Sequence, residues 1–158
     1  KNLDITNEES FSKYWRENSI SIFLAEHVWE HLNEAERINA NKNCFKYLKH
    51  NGRLRIAVPD GLHPSKDYID KVKPGGIGAG AKDHKVLFNY KKLSRELENA
   101  GFKVELLEYY DENGTFNYKY WDAKYGFIER SKKYDPRNIN GELNYTSLIV
   151  DAFKCKEI

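Results

Sequence analysis

Methionine is absent from this 158-residue chain, which carries only two cysteines, Cys44 and Cys155, and four prolines. Thiols so far apart build neither a disulfide framework nor a paired-thiol metal site, leaving a reducing cytoplasm as the simpler setting. A chain that opens on Lys1 without an initiator implies a segment upstream or modified methionines that go uncounted. Long apolar runs are missing too: the stretch at 22–25 falls far short of the roughly 20 residues a membrane helix needs. Nor does the start show the basic-then-apolar pattern of an export signal. An excess of one charge is lacking, since 26 Lys and Arg against 24 Asp and Glu leave +2. That balance makes no field for gripping phosphate backbones, so nucleic acid is not the expected partner.

What is present is enough for one domain over 1–158, with 40% hydrophobic and 32% charged residues. This excludes a multi-domain enzyme and wholesale disorder. The apolar run at 20–25 predicts a strand buried on both faces. Asn33 three residues before Glu36 is a capping box, so a helix starts there and runs to about Lys49, with Ala35, Ile38, Phe45 and Leu48 inward. Leu54, Ile56 and Val58 alternate as a second strand that Pro59-Asp60-Gly61 ends. Residues 61–85 hold five glycines and two prolines, an irregular insertion with a short helix at 67–72. Asn89 caps another helix, with Leu93 and Leu97 inward and Gly101 as its stop, before a strand through Phe102, Val104 and Leu106. Alternating strands and helices predict an α/β layout with parallel strands. Asn113-Gly114 and Asn140-Gly141 both signal hairpins, and 145–153 reads as a closing strand, so the sheet turns antiparallel there. Nine aromatic side chains gather between 109 and 134. Cross-strand packing accounts for them better than ligand stacking.

Chemistry concentrates where strands end, because ligands of open α/β sheets bind beyond their carboxyl ends. Glu26 and His27 stand there; the plain alternative is a solvated acid and a polar residue at a helix start. His27-x-x-Glu30-His31 also has the spacing of an inverted zinc-peptidase motif, with Glu105 or Glu108 as a further ligand. That reading requires a helix where a strand has just ended, so no metal ligand is assigned. Gly76-Ile77-Gly78-Ala79-Gly80 has the composition of an anion cradle but neither follows a buried strand nor opens a helix, so a glycine-hinged lid is expected. His84 and Asp83 follow it, and with Asp60 and His63 they converge in expectation on the crevice of His27. A histidine of near-neutral pKa suits general-base work there. Arg130 and the Asp135–Asn138 stretch either bind a polar substrate or pair among themselves.

Several segments together resemble the class I S-adenosylmethionine-dependent methyltransferases, specifically small predicted members of unassigned substrate. They are LDIT at 3–6, ISIFLAEHVWEHL at 20–32, YLKHNGRLRIAVPDG at 47–61, LSRELENAGFKVELLEY at 93–109 and YTSLIVDAFK at 145–154. The resemblance implies a partial Rossmann-like sheet, the fourth to seventh strands with the last antiparallel, plus an aromatic-rich hairpin insertion. It implies S-adenosylmethionine as cofactor, with Asp4 and Ile5 at the adenine and Ala25, Glu26 and His27 at the methyl-bearing end. His27 or His84 would be the base, and Asp60, His63, Asp83 and Arg130 would bind a small or glycan-like acceptor through its O or N atom. The glycine-rich cofactor loop and the ribose-binding acid have no counterpart, so the domain is expected to be incomplete at its N-terminus. The strand at 20–25 would then need cover from upstream residues or a second copy of the chain. The absent loop also motivates a different reading, a non-catalytic binding module on this fold.

Overall fold

The computed structural model describes residues 3–155. A five-stranded sheet in the order β1-β2-β5-β3-β4 organises them. After a short helix α1 (Glu8–Ser12), β1 (Ile20–Glu26) and β2 (Leu48–Val58) run parallel, joined by α2 (Glu34–Tyr47). β3 (Lys103–Tyr110) follows α3 (Lys66–Val72) and α4 (Tyr90–Asn99). β5 (Leu148–Phe153) slots between β2 and β3, antiparallel to both. The mixed α/β sheet with an antiparallel last strand is therefore the one the resemblance implied.

The period of two sorts side chains to two cores. Leu54, Ile56 and Val58 of β2 and Leu148, Val150 and Ala152 of β5 pack under Ala40, Cys44, Leu93 and Leu97 of the helices. Ala57, Ile149 and Leu107 face the other way, against Trp121 and Ile128. Helices thus cover one face, and the irregular residues 119–147 cover the other. β1 corrects an expectation. It is the outer strand, paired only with β2 among the described residues, so Ile22 and Leu24 are exposed while Phe23 and Ala25 turn inward.

Asn33 makes both halves of the capping box: its Oδ1 accepts from Glu36 N (3.0 Å), and Glu36 Oε2 accepts from Asn33 N (2.7 Å). α2 stops at Tyr47, earlier than the glycine suggests, because Leu48 is already extended and pairs with Ile20. Its buried face is not the predicted one: Ile38 is exposed, whereas Arg37 and Asn41 are buried. Arg37 donates to both Glu96 oxygens and to Leu32 O, and Trp29 Nε1 donates to Asn41 Oδ1. Satisfied polar groups can be buried, and hydrophobic periodicity is blind to them.

Asn113-Gly114 turns β3 into β4 (Phe116–Tyr118) as expected. Asn140-Gly141 is a turn with positive φ at both residues, but no strand flanks it, and β5 starts only at Leu148. Residues 75–80, expected as a glycine-hinged lid, form a folded turn that Gly75 N to Ala81 O closes and that Ile77 N to Asp70 O and Gly78 N to Lys71 O hold against α3. Among the described residues no helix is long and apolar enough to cross a membrane.

Candidate active-site cleft

The parallel strands β1 and β2 finish on the same side of the sheet, and a cleft of about 470 Å³ opens there between His27 and Pro59. A larger, shallower recess of about 620 Å³ lies at the opposite end, near Arg53, Lys103 and Phe153. Strand polarity favours the first, since sites in such sheets gather at carboxyl ends.

His27 extends the β1 ladder by donating its amide to Ala57 O (2.8 Å), then turns into the left-handed region at φ +54. That conformation costs an L-residue about 1–2 kcal/mol and swings the imidazole off the sheet into the cleft. Nε2 lies 3.0 Å from Ser147 Oγ, and Nδ1 lies 3.3 Å from Glu30 Oε1. Burial, aided by Arg130 and the other histidines, pulls the imidazole down to about 3, so it is neutral near pH 7.

Residues 29–31 form a single 3-10 turn, Trp29–His31. Glu30 is wholly buried, and burial pushes its carboxyl up to about 7. Its proximity to His27 has ion-pair length but not hydrogen-bond alignment, so neither oxygen has a hydrogen-bond partner in another residue. Lys85 N donates to Glu30 O (2.7 Å), which brings His84 alongside. His84 Nδ1 lies 2.6 Å from Val72 O, and its ring meets His31 edge-on at 4.7 Å. Lys71, Arg130, Arg137 and Tyr145 complete the walls, with Arg137 stacked 3.6 Å over the Tyr145 ring.

The structure brings His27, His84 and Arg130 together at this cleft. Other expected site residues lie around it. Glu26 accepts from Glu129 N (3.1 Å) and Arg130 N (2.8 Å), so its carboxylate pins the loop that carries Arg130. Asp60 is buried beneath Pro59; it accepts from Leu62 N (3.0 Å) and Tyr110 N (2.7 Å), and burial still raises it to about 6. His63 stacks on Tyr68 at 3.9 Å behind the wall. Asp83 is exposed outside the cleft, and Ala25 is buried in the core. Asp4 is spent on Thr6, whose N and Oγ1 both donate to it, and Ile5 packs against the helical core, away from the cleft. The peptidase reading falls on local structure: His27 is left-handed and only a 3-10 turn follows, so no helical HxxEH face exists. Of its suggested extra ligands, Glu105 pairs with Lys119, and Glu108 is buried elsewhere, accepting from Trp121 Nε1 and Lys132 N. Sequence reasoning missed Tyr145 and Ser147, which look like strand residues but precede β5.

No family model matches the chain, and no curated protein does. Solved structures do. A SAM-dependent methyltransferase from Archaeoglobus fulgidus aligns with TM-score 0.52 at 16% identity, over 92% of this chain and 63% of that one. A Thermotoga maritima SAM-dependent methyltransferase, described as a possible histamine N-methyltransferase, gives 0.53 at 14% identity, over 89% and 58%. A putative methyltransferase from Bacillus halodurans gives 0.52 at 14%, over 97% and 76%. The chain has the fold of SAM-dependent methyltransferases and spans about three fifths of the length of the first two.

The described residues fit S-adenosylmethionine, the group this fold implies, only in part. Of the expected residues at its methyl-bearing end, only His27 lines the cleft, while Ala25 is buried in the core and Glu26 holds the 129–130 loop. Asp4 is already hydrogen-bonded within its own turn, and the glycine run at 76–80 folds against α3, so neither makes an adenosine cradle.

Proposed function

We propose that this chain carries the acceptor side of an S-adenosylmethionine-dependent methyl transfer to an O or N atom of a small, polar or glycan-like acceptor. One observation carries the reading: the cleft with its histidine wall and arginine rim sits at the carboxyl ends of β1 and β2 in a methyltransferase-fold sheet. S-adenosylmethionine, when bound, supplies an electrophilic methyl group. What remains for the protein is alignment, which can be worth several kcal/mol, on the order of 7–11 in favourable cases. Arg130 and Arg137 grip the acceptor's polar groups. His27 and His84 flank its nucleophilic atom, and Ala25 and Glu26 shape the strand tip facing the donor. Asp60 and His63 act from behind the wall as positioning residues.

The test is calorimetry with S-adenosylmethionine and its demethylated product, together with labelled-methyl transfer to pooled hydroxyl and amine acceptors. Binding, and transfer that replacing both His27 and His84 with Ala abolishes, is the expected result. Unchanged transfer removes the histidine roles. A second reading, a non-catalytic binding module, is favoured by the missing adenosine cradle among the described residues; binding of neither cofactor form by this chain or by one extended upstream decides for it, whereas binding by the longer chain alone means the cradle lies upstream.

A further inference from the structure

Glu30 and His31 leave the end of β1 together, and His84 arrives from the far side of the 61–85 segment. One ligating atom of each lies within 4.8 Å of the other two. Glu30 is wholly buried without a hydrogen-bond partner in another residue, a costly state for a carboxylate. The orientation of His84 sharpens the point. A carbonyl only accepts, so the 2.6 Å contact with Val72 O fixes the proton on Nδ1. In the neutral ring, Nε2 then presents a lone pair to Glu30 Oε1 at 4.0 Å. Two acceptors face one another across a gap too wide for a hydrogen bond. A cation between them satisfies both.

We propose that Glu30, His31 and His84 bind one first-row divalent transition-metal ion on the wall of the cleft. Two imidazoles and one carboxylate suit zinc, manganese, cobalt or iron(II) better than magnesium or calcium, which favour all-oxygen sets. The Val72 carbonyl orients one ligand, and His27, held by Ser147, abuts the carboxylate, as outer-shell partners do at metal sites. Three protein ligands leave coordination positions open, and the same three residues line the cleft. Resting on the methyl-transfer reading, this is the place where an acceptor hydroxyl would meet the ion; the binding of the ion itself does not rest on it.

The experiment uses the chain freed of metal by chelation, with neither cofactor nor acceptor present. Cobalt(II) is followed by its visible absorption and zinc(II) by calorimetry. One equivalent per chain is expected, with cobalt bands of a nitrogen-ligated site. Glu30→Gln and His31→Ala each weaken binding by more than the roughly 10–100-fold that losing an outer-shell partner brings. His31 is only half-buried, so its variant keeps the fold, which circular dichroism verifies. Absence of stoichiometric binding, or affinity indifferent to His31→Ala and Glu30→Gln, overturns the site: a proton then fills the gap, or ligands such as Cys155 are responsible. A bound ion without cofactor binding upholds the site and counts only against the methyl-transfer reading.

Discussion

Arg55 and Asp151 face each other in register across β2 and β5 as a two-pronged ion pair, Nε to Oδ1 at 2.7 Å and Nη2 to Oδ2 at 2.8 Å. Both side chains are 2% exposed or less. Arg55 Nη1 also donates to Asp122 O and Gly126 O, and the guanidinium lies over Trp121. One charged residue thereby fastens the irregular aromatic segment to the sheet.

Removing one partner is expected to be severe. Asp151→Ala strands a buried guanidinium and should cost about 3–5 kcal/mol, read as a fall in the urea midpoint. Replacing both with apolar residues of similar volume should recover part of this, but the carbonyls of Asp122 and Gly126 then lose their donor. A single variant as stable as the parent contradicts the arrangement.

Gly101 ends α4 at φ +101, with Phe102 N bonded back to Leu97 O, and a Cβ there would stand 3.0 Å from the Phe45 ring. Backbone strain and crowding together put Gly101→Ala at about 1–3 kcal/mol of destabilisation. Thermal melts measure it. Ligand binding at the cleft should be unchanged, as this helix end belongs to the helical core.

His63 offers a pH test. Its Nδ1 accepts from Ser65 N (3.1 Å), its Nε2 is buried without a partner, and burial pulls it to about 4. Between the unfolded value near 6.5 and 4, the unfolded chain takes up a proton that the folded chain refuses, so stability falls as pH falls. Asp60, raised to about 6, has the opposite slope: between 3.8 and 6 the folded state keeps a proton that the unfolded chain releases. His63→Phe keeps the stacking on Tyr68, gives up the Ser65 N hydrogen bond equally at every pH, and removes the first slope while leaving that of Asp60. Its stability relative to the parent should therefore improve steadily from pH 7 to pH 4, and a pH-independent difference in chemical denaturation would contradict the assignment.

Arg137 tests the acceptor side of the proposed function. Paired with Asp135 and stacked on Tyr145, it sits at the rim, clear of the reacting wall. Arg137→Ala should raise the KM for a polar acceptor several-fold with kcat little changed. The reverse pattern would place it at the chemical step.

Much of the scaffold was legible because its signals are local. The Asn33 box, the Gly101 stop and the Asn113-Gly114 turn each act within a few residues of themselves. Of the site, His27 was legible because a strand ends there, whereas His84 and Arg130 were named from loops whose meeting at the cleft no spacing fixes. Pairing of β5 between β2 and β3 is a long-range choice that periodicity does not encode. The buried face of α2 was misjudged because Arg37 and Asn41 are solvated by Glu96 and Trp29 instead of water. Asp60 drew notice for its place after β2, yet it serves as a joint: its amide donates to Tyr68 Oη, whose hydroxyl donates to Thr146 O. The meeting of Glu30 with His84 depends on how 61–85 folds back, which no short motif announces.

Val72 is the last residue of α3, and its carbonyl sets the rotation of His84. Seven residues of helix thus act as the mount of an optical element, and unwinding its last turn would let the imidazole spin out of aim. A change in the length or helix strength of this segment would therefore re-aim His84 from a distance, without altering any side chain that faces the cavity.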